Sequence, residues 1–134
     1  MDICKVYRLG AVEFQKAWDF QNKIAEEIGK ENHSPALILL EHPHTFTFGQ
    51  QSENKNLIWS EAILKEKNVN LHWIDRGGDV TYHGPGQLVG YPILPLMKGE
   101  IKVDPNTGSI KFPPRDYVGY LRNLEKVIIV TLAN

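Results

Sequence analysis

Cysteine is almost absent from this 134-residue chain: Cys4 stands alone. No internal disulfide can form, and a single thiol suits a reducing cytoplasm. An excess of one charge is missing too. Lys and Arg number 15 against 16 Asp and Glu, a net charge of -1, with the cations scattered rather than striped. That balance offers no electrostatic footprint for nucleic acid or for an anionic membrane surface. No apolar run approaches the ~20 residues that cross a bilayer. Asp2, Lys5, Arg8, Glu13, Lys16 and Asp19 fall near the start, so no signal-peptide core is expected there. Neither G-x-G-x-x-G nor G-x-x-x-x-G-K-[ST] occurs, and Pro85 removes an N–H that a phosphate cradle would use. What remains is a soluble cytoplasmic domain with no nucleic-acid or membrane partner.

The length suits one domain, taken here as residues 1–134. Strand and helix patterns alternate along it. Residues 3–9 read as a strand closed by Gly10. Residues 12–28 carry Phe14, Ala17, Trp18, Ile24, Ala25 and Ile28 at helical period, with Gly29 at the expected C-terminal cap. Ala-Leu-Ile-Leu-Leu after Pro35 is too apolar to be half exposed and predicts a central strand. Residues 44–48 read as a short extended piece. Ser60 predicts the N-cap of a helix over 61–67, and 69–75 alternates again. Residues 88–96 look like a strand, but Pro92 and Pro95 restrict it to an edge or a bulge. Residues 100–112 suggest a hairpin around a Pro/Asn/Gly turn, and a helix follows from Asp116. The fold class is α/β (α+β), a mixed sheet flanked by helices.

The densest chemistry lies in R-G-G-D-V-T-Y-H-G-P-G-Q, residues 76–87. Four glycines cost chain entropy, so they serve either turns that let strands cross or a backbone that something must approach closely. If Val80 and Tyr82 face one side of an extended segment, Asp79, Thr81 and His83 face the other. Polar groups would then stand beside bare backbone, as in a site that holds a narrow ligand by a polar end. His42 and His44 could share a strand face and a metal, but Pro43 separates them and no cysteine pair or H-E-x-x-H helix supports zinc. Pocket-lining histidines are the favoured reading.

R-G-G-D-V-T-Y-H-G-P-G-Q-L-V-G-Y-P resembles the signature of the octanoyltransferases of lipoate synthesis, also called lipoate-protein ligase B. The upstream L-L-E-H-P-H-T-F-T-F-G is similar to that family's second recurring stretch. The resemblance implies the fold of biotin and lipoate ligases. It also implies transfer of an octanoyl group from octanoyl-acyl carrier protein to a lysine of lipoyl domains. Those domains belong to 2-oxoacid dehydrogenase complexes and the glycine cleavage H protein. By the same resemblance Arg76, Gly77, Gly78, Asp79, Val80, Thr81, Tyr82 and His83 line the acyl pocket, joined by His42 and Tyr91. No metal or nucleotide cofactor is implied, because a thioester is already activated. The rival is an ATP-dependent lipoate or biotin protein ligase. In those enzymes the matching histidine is typically followed by Asp, whereas His83 precedes Gly84, Pro85, Gly86 and Gln87. A binding-only remnant of the fold is the third alternative.

The family's acyl-accepting cysteine and the lysine that lowers its pKa lie C-terminal to the helix matching residues 116–133. Residues 1–134 therefore hold no catalytic residue by this resemblance, and the expectation is a truncated chain, inactive alone. Cys4 is no substitute: Lys5 points to the opposite face of the strand, and Cys4 reads as a small buried hydrophobe. The 100–112 hairpin departs from the family pattern. The apolar run V-I-I-V-T-L-A-N predicts a helix that needs further cover.

Overall fold

The strand that organises the fold is β2, Ala36–Glu41, whose alternate residues Ala36, Ile38 and Leu40 are at most 2% exposed while Leu37 and Leu39 are half-buried. The computed structural model describes residues 3–53, 57–95, 102–103, 110–111 and 117–133. They form two units, Met1–Ile93 and Leu94–Asn134.

In the first unit β2 lies between β1 (Lys5–Ala11), to which it is parallel, and β6 (Val89–Ile93), to which it is antiparallel. The central position expected from its continuous apolar run is the one it takes. Among the described residues β6 pairs with β2 alone, an edge placement and so one of the two that Pro92 and Pro95 allow. Helix α1 (Phe14–Gly29) packs Ala17 against Ile38 and Leu40, with Tyr7, Phe20, Val89 and Tyr91 around them.

Pro43 ends this sheet's ladder, and Thr45 Oγ1 donates to its carbonyl at 2.7 Å as the chain enters a second sheet. That sheet has β3 (Thr45–Phe48) in the middle, parallel to β4 (Asn70–Trp73) and antiparallel to β5 (Val80–His83). Between β3 and β4 lies α2 (Glu61–Glu66), and Ser60 Oγ accepts from the Ile63 N–H at 3.4 Å, as its N-cap role requires. The architecture is thus α/β with mixed sheets. None of the helices among the described residues is long and apolar enough to cross a membrane.

Three local expectations are corrected. Gly10 does not close β1. It sits inside the strand at φ +65°, where the register with β2 slips between Arg8 and Ala11, so the extra residue is absorbed as a bulge. Gly29 is not the residue that turns α1 off. The helix runs through it, and Glu31 takes the left-handed position at φ 60° while Glu31 N–H bonds the Ile28 carbonyl and Asn32 N–H bonds that of Glu27. Cys4 is exposed rather than buried, because it precedes β1, an edge strand whose residues are mostly exposed.

In the second unit β7 (Lys102–Val103) and β8 (Ile110–Lys111) pair antiparallel, matching the arms of the expected hairpin, whose turn lies outside the described residues. Helix α3 (Tyr117–Leu132) has no buried residue, and Val127, Ile128, Ile129 and Leu132 are each more than half exposed.

Candidate functional site

Pairing in the second sheet sorts its side chains by the period of two. Thr45 stands opposite His83, and Thr47 opposite Thr81 and His72, while Phe46 and Phe48 stand opposite Tyr82 and Val80. One face is therefore polar and the other aromatic and apolar. Thr81 and His83 fall on the polar face and Val80 and Tyr82 on the apolar one, the division expected from alternation alone. Asp79 lies just before the strand, where its Oδ1 accepts from the Val80 N–H at 2.7 Å.

Arg76 is turned inward. Its Nη2 donates to the Thr47 carbonyl at 2.8 Å, Thr47 Oγ1 at 3.1 Å and Thr81 Oγ1 at 2.9 Å, and Nη1 donates to the Gly77 carbonyl at 3.0 Å. The guanidinium thus clamps the R-G-G segment onto β3. A second clamp acts through backbone: the N–H groups of Gln50 and Gln51 donate to the carbonyls of Arg76 and Gly78 at 2.9 and 3.2 Å. This approach is so close that a Cβ on Gly49 would lie 2.5 Å from the Gly78 oxygen and 2.9 Å from that of Arg76. A Cβ on Gly77 would instead meet nothing within 4 Å. Of the two, Gly49 is demanded by packing and Gly77 is not.

His42 is 1% exposed at the end of β2. Its Nδ1 lies 2.7 Å from the Val12 carbonyl, which can only accept, so Nδ1 carries the proton. The bare Nε2 then accepts from the Tyr91 hydroxyl at 2.8 Å. Burial pulls the His42 pKa below its ordinary value. The Val12 carbonyl opposes that shift, and the neighbouring His83 and His72 add to it. Burial likewise raises the Tyr91 hydroxyl, and Gln21 alongside tempers the rise without its Nε2 closing a hydrogen bond. The His42 and His83 rings are 5.7 Å apart, and Phe14 of α1 packs against His42 at 5.4 Å and His72 at 4.9 Å. His42 therefore meets both His83 and Tyr91, which lie far from it in sequence. His44 is not part of this group: its Nδ1 lies 2.6 Å from the Tyr82 hydroxyl, so His42 and His44 serve different partners.

After His83 the chain makes a turn. Gln87 N–H donates to the Gly84 carbonyl at 3.0 Å, with Pro85 and Gly86 between them and Gly86 at φ +85°. This is a type II turn, which accounts for the order G-P-G-Q. The Gly86 N–H donates to Glu41 Oε2 at 2.8 Å, fastening the turn to the end of β2. Glu41, Thr47, Gly49 and Gln87 were not singled out from the sequence. All lie in the two quoted stretches, but the roles of Glu41, Thr47 and Gly49 depend on contacts between residues some 27 to 45 positions apart, and that of Gln87 on the turn that carries it back to His83.

Comparison with known families places these stretches directly. The chain belongs to the lipoyl protein ligase A/B catalytic domain family, whose model it matches over residues 13–134. It is 37% identical over 131 residues to a protein named octanoyltransferase from Solibacter usitatus, covering 98% of this chain and 53% of that one. To the octanoyltransferase of Alkaliphilus metalliredigens it is 41% identical over 124 residues, covering 92% and 50%. To that of Caldicellulosiruptor bescii it is 47% identical over 88 residues, covering 66% and 39%. The chain spans about half the length of the first two of these curated relatives. Among solved structures, a T. acidophilum protein aligns over 77% of this chain and 40% of its own at 15% identity and TM-score 0.41, too distant to inform detail.

Proposed function

We propose that this chain supplies the acyl-holding part of an octanoyltransferase of lipoate synthesis. The protein it represents would move octanoyl from octanoyl-acyl carrier protein to a lysine of lipoyl domains, in 2-oxoacid dehydrogenase complexes and in the glycine cleavage H protein. The reaction is placed in the cytoplasm and needs no cofactor. Arg76, Gly77, Gly78, Asp79, Val80, Thr81, Tyr82 and His83 hold the thioester end, with His42 and Tyr91 behind them. The observation that carries this reading is the meeting of His83, His42 and Tyr91 beside an R-G-G segment clamped from two sides. A thioester carbonyl gathers negative charge as it is attacked, and pre-oriented donors beside bare backbone stabilise that charge. The acyl-accepting cysteine and its lysine, by family resemblance, act from sequence C-terminal to α3.

The ATP-dependent ligase is the alternative in the same family. The Gly84–Gln87 turn, standing where those enzymes typically place Asp after the histidine, favours thioester transfer. Incubating the chain with octanoyl-acyl carrier protein, followed by intact mass measurement, tests the reading. Saturable binding of the octanoyl carrier with no stable adduct on Cys4 is expected. Activation of octanoate that depends on ATP, or an acyl adduct on Cys4, would overturn it.

A further inference from the structure

Resting on the acyl-transfer proposal, we propose that Gln87 is a positioning residue that fixes the His83 tautomer, leaving Nε2 to accept from the amine of the acyl acceptor.

The amide of Gln87 has an assigned orientation. Its Nε2 donates to the Tyr82 carbonyl at 3.4 Å, and a flipped amide would set two oxygens against each other there. Oε1 therefore faces His83, 2.7 Å from Nδ1, and an amide oxygen can only accept. In the neutral ring the proton is on Nδ1 and Nε2 carries a lone pair. The backbone makes this arrangement firm: Gln87 N–H closes the type II turn, and Glu41 holds the preceding Gly86 N–H. The E-H of the first stretch and the G-P-G-Q of the second are thus joined by the bond from Gly86 to Glu41.

A lone pair cannot serve a thioester carbonyl, whose oxygen also needs donors. In the step that passes the acyl group from the cysteine thioester to lysine, only the incoming amine nitrogen bears hydrogens. As that nitrogen forms its bond to the acyl carbon, the C–S bond breaks and sulfur leaves as thiolate. The proton shed by nitrogen passes to His83 Nε2, so charge and atoms balance. The Thr81 hydroxyl and the R-G-G backbone remain for the carbonyl.

Long-range proton–nitrogen NMR of the histidine rings in the 15N-labelled chain tests this directly. Under conditions where His83 is neutral, Nδ1 should bear the proton and Nε2 should be bare. Gln87→Met should move the ring toward the Nε2–H tautomer, and Gln87→Glu, which keeps an oxygen there, should restore Nδ1–H. N-acetyllysine methylamide should perturb the Nε2 resonance of the unsubstituted chain, and bind Gln87→Met about tenfold more weakly, the effect of one hydrogen bond. An Nε2–H ring in the unsubstituted chain overturns the inference whether or not the variants fold. So does an unchanged tautomer in folded Gln87→Met, or no response to the lysine mimic. Binding of S-octanoyl-pantetheine is measured alongside. Its absence with an intact Nδ1–H tautomer would sink the acyl reading and the amine role built on it, while leaving Gln87's hold on the ring.

Discussion

The Tyr91 hydroxyl donates to His42 Nε2 at 2.8 Å, tying edge strand β6 to the buried end of β2. Removing that hydroxyl leaves an imidazole nitrogen without its donor in a place only 1% exposed. Tyr91→Phe keeps the ring and its packing. It is expected to lower the unfolding free energy by about 1–3 kcal/mol, the range for a buried polar group left unsatisfied, read from urea denaturation. No loss would mean that water reaches His42.

The same burial sets a pH dependence. Desolvation holds His42 below its ordinary 6.5. Just under that pH the unfolded chain therefore takes up a proton that the folded chain refuses. The associated stability is full above pH 6.5 and is lost as pH falls through the lower folded value. Denaturation midpoints across this window should fall with acid in the unsubstituted chain and fall less steeply in His42→Asn. Equal slopes would remove His42 as the cause.

Gly49 and Gly77 make opposite predictions. Gly49→Ala would push a Cβ to 2.5 Å from the Gly78 oxygen, so overpacking should cost about 1–3 kcal/mol of stability. Gly77→Ala meets open space and should change stability by no more than about 0.5 kcal/mol, as an unhindered surface substitution does. If bare backbone is there for a ligand, Gly77→Ala should still weaken binding of the octanoyl thioester. Retained binding would leave Gly77 without a role in the site.

Glu31 sits at φ 60° just beyond α1. A non-glycine residue in that region costs about 1–2 kcal/mol. Glu31→Gly should therefore raise stability by up to about 1 kcal/mol once the added freedom of the unfolded chain is subtracted. A thermal melt that moves downward instead would show the side chain to be stabilising.

Periodicity made some of this molecule readable in advance. The continuous apolar run of β2 predicted a central strand, and Pro92 and Pro95 limited β6 to an edge or a bulge, since burial on two faces and a missing N–H are local facts. Alternation in 80–83 separated Thr81 and His83 from Val80 and Tyr82 for the same reason. What stayed hidden depends on pairing at a distance. Arg76 was expected to line the acyl pocket, and nothing local showed that Thr47, 29 residues away, accepts its bonds. Gly49 carried no local sign of its role, which comes from the close approach of Gly78. Cys4 looked buried because its neighbours are apolar, yet the edge position of β1 leaves it exposed. Glu31 replaced Gly29 at the cap because a helix end is fixed by carbonyl pairing that residue preference does not determine.

All of the second sheet, from Thr45 to His83, is inserted between the two strands β2 and β6 that pair in the first. During synthesis, then, β3, β4 and β5 all leave the ribosome before β6 does. The insert can fold early and shorten the free loop that β6 must close on returning to β2, reducing the entropy of that closure. We predict that nascent chains arrested with β5 exposed and β6 still in the exit tunnel protect the amides of β3 from exchange but not those on the β6 side of β2. Protection of both together would refute this order. On this ordering His42 is the last of the site's deep residues to be satisfied, and its bond to Tyr91 marks the moment at which the first unit becomes whole.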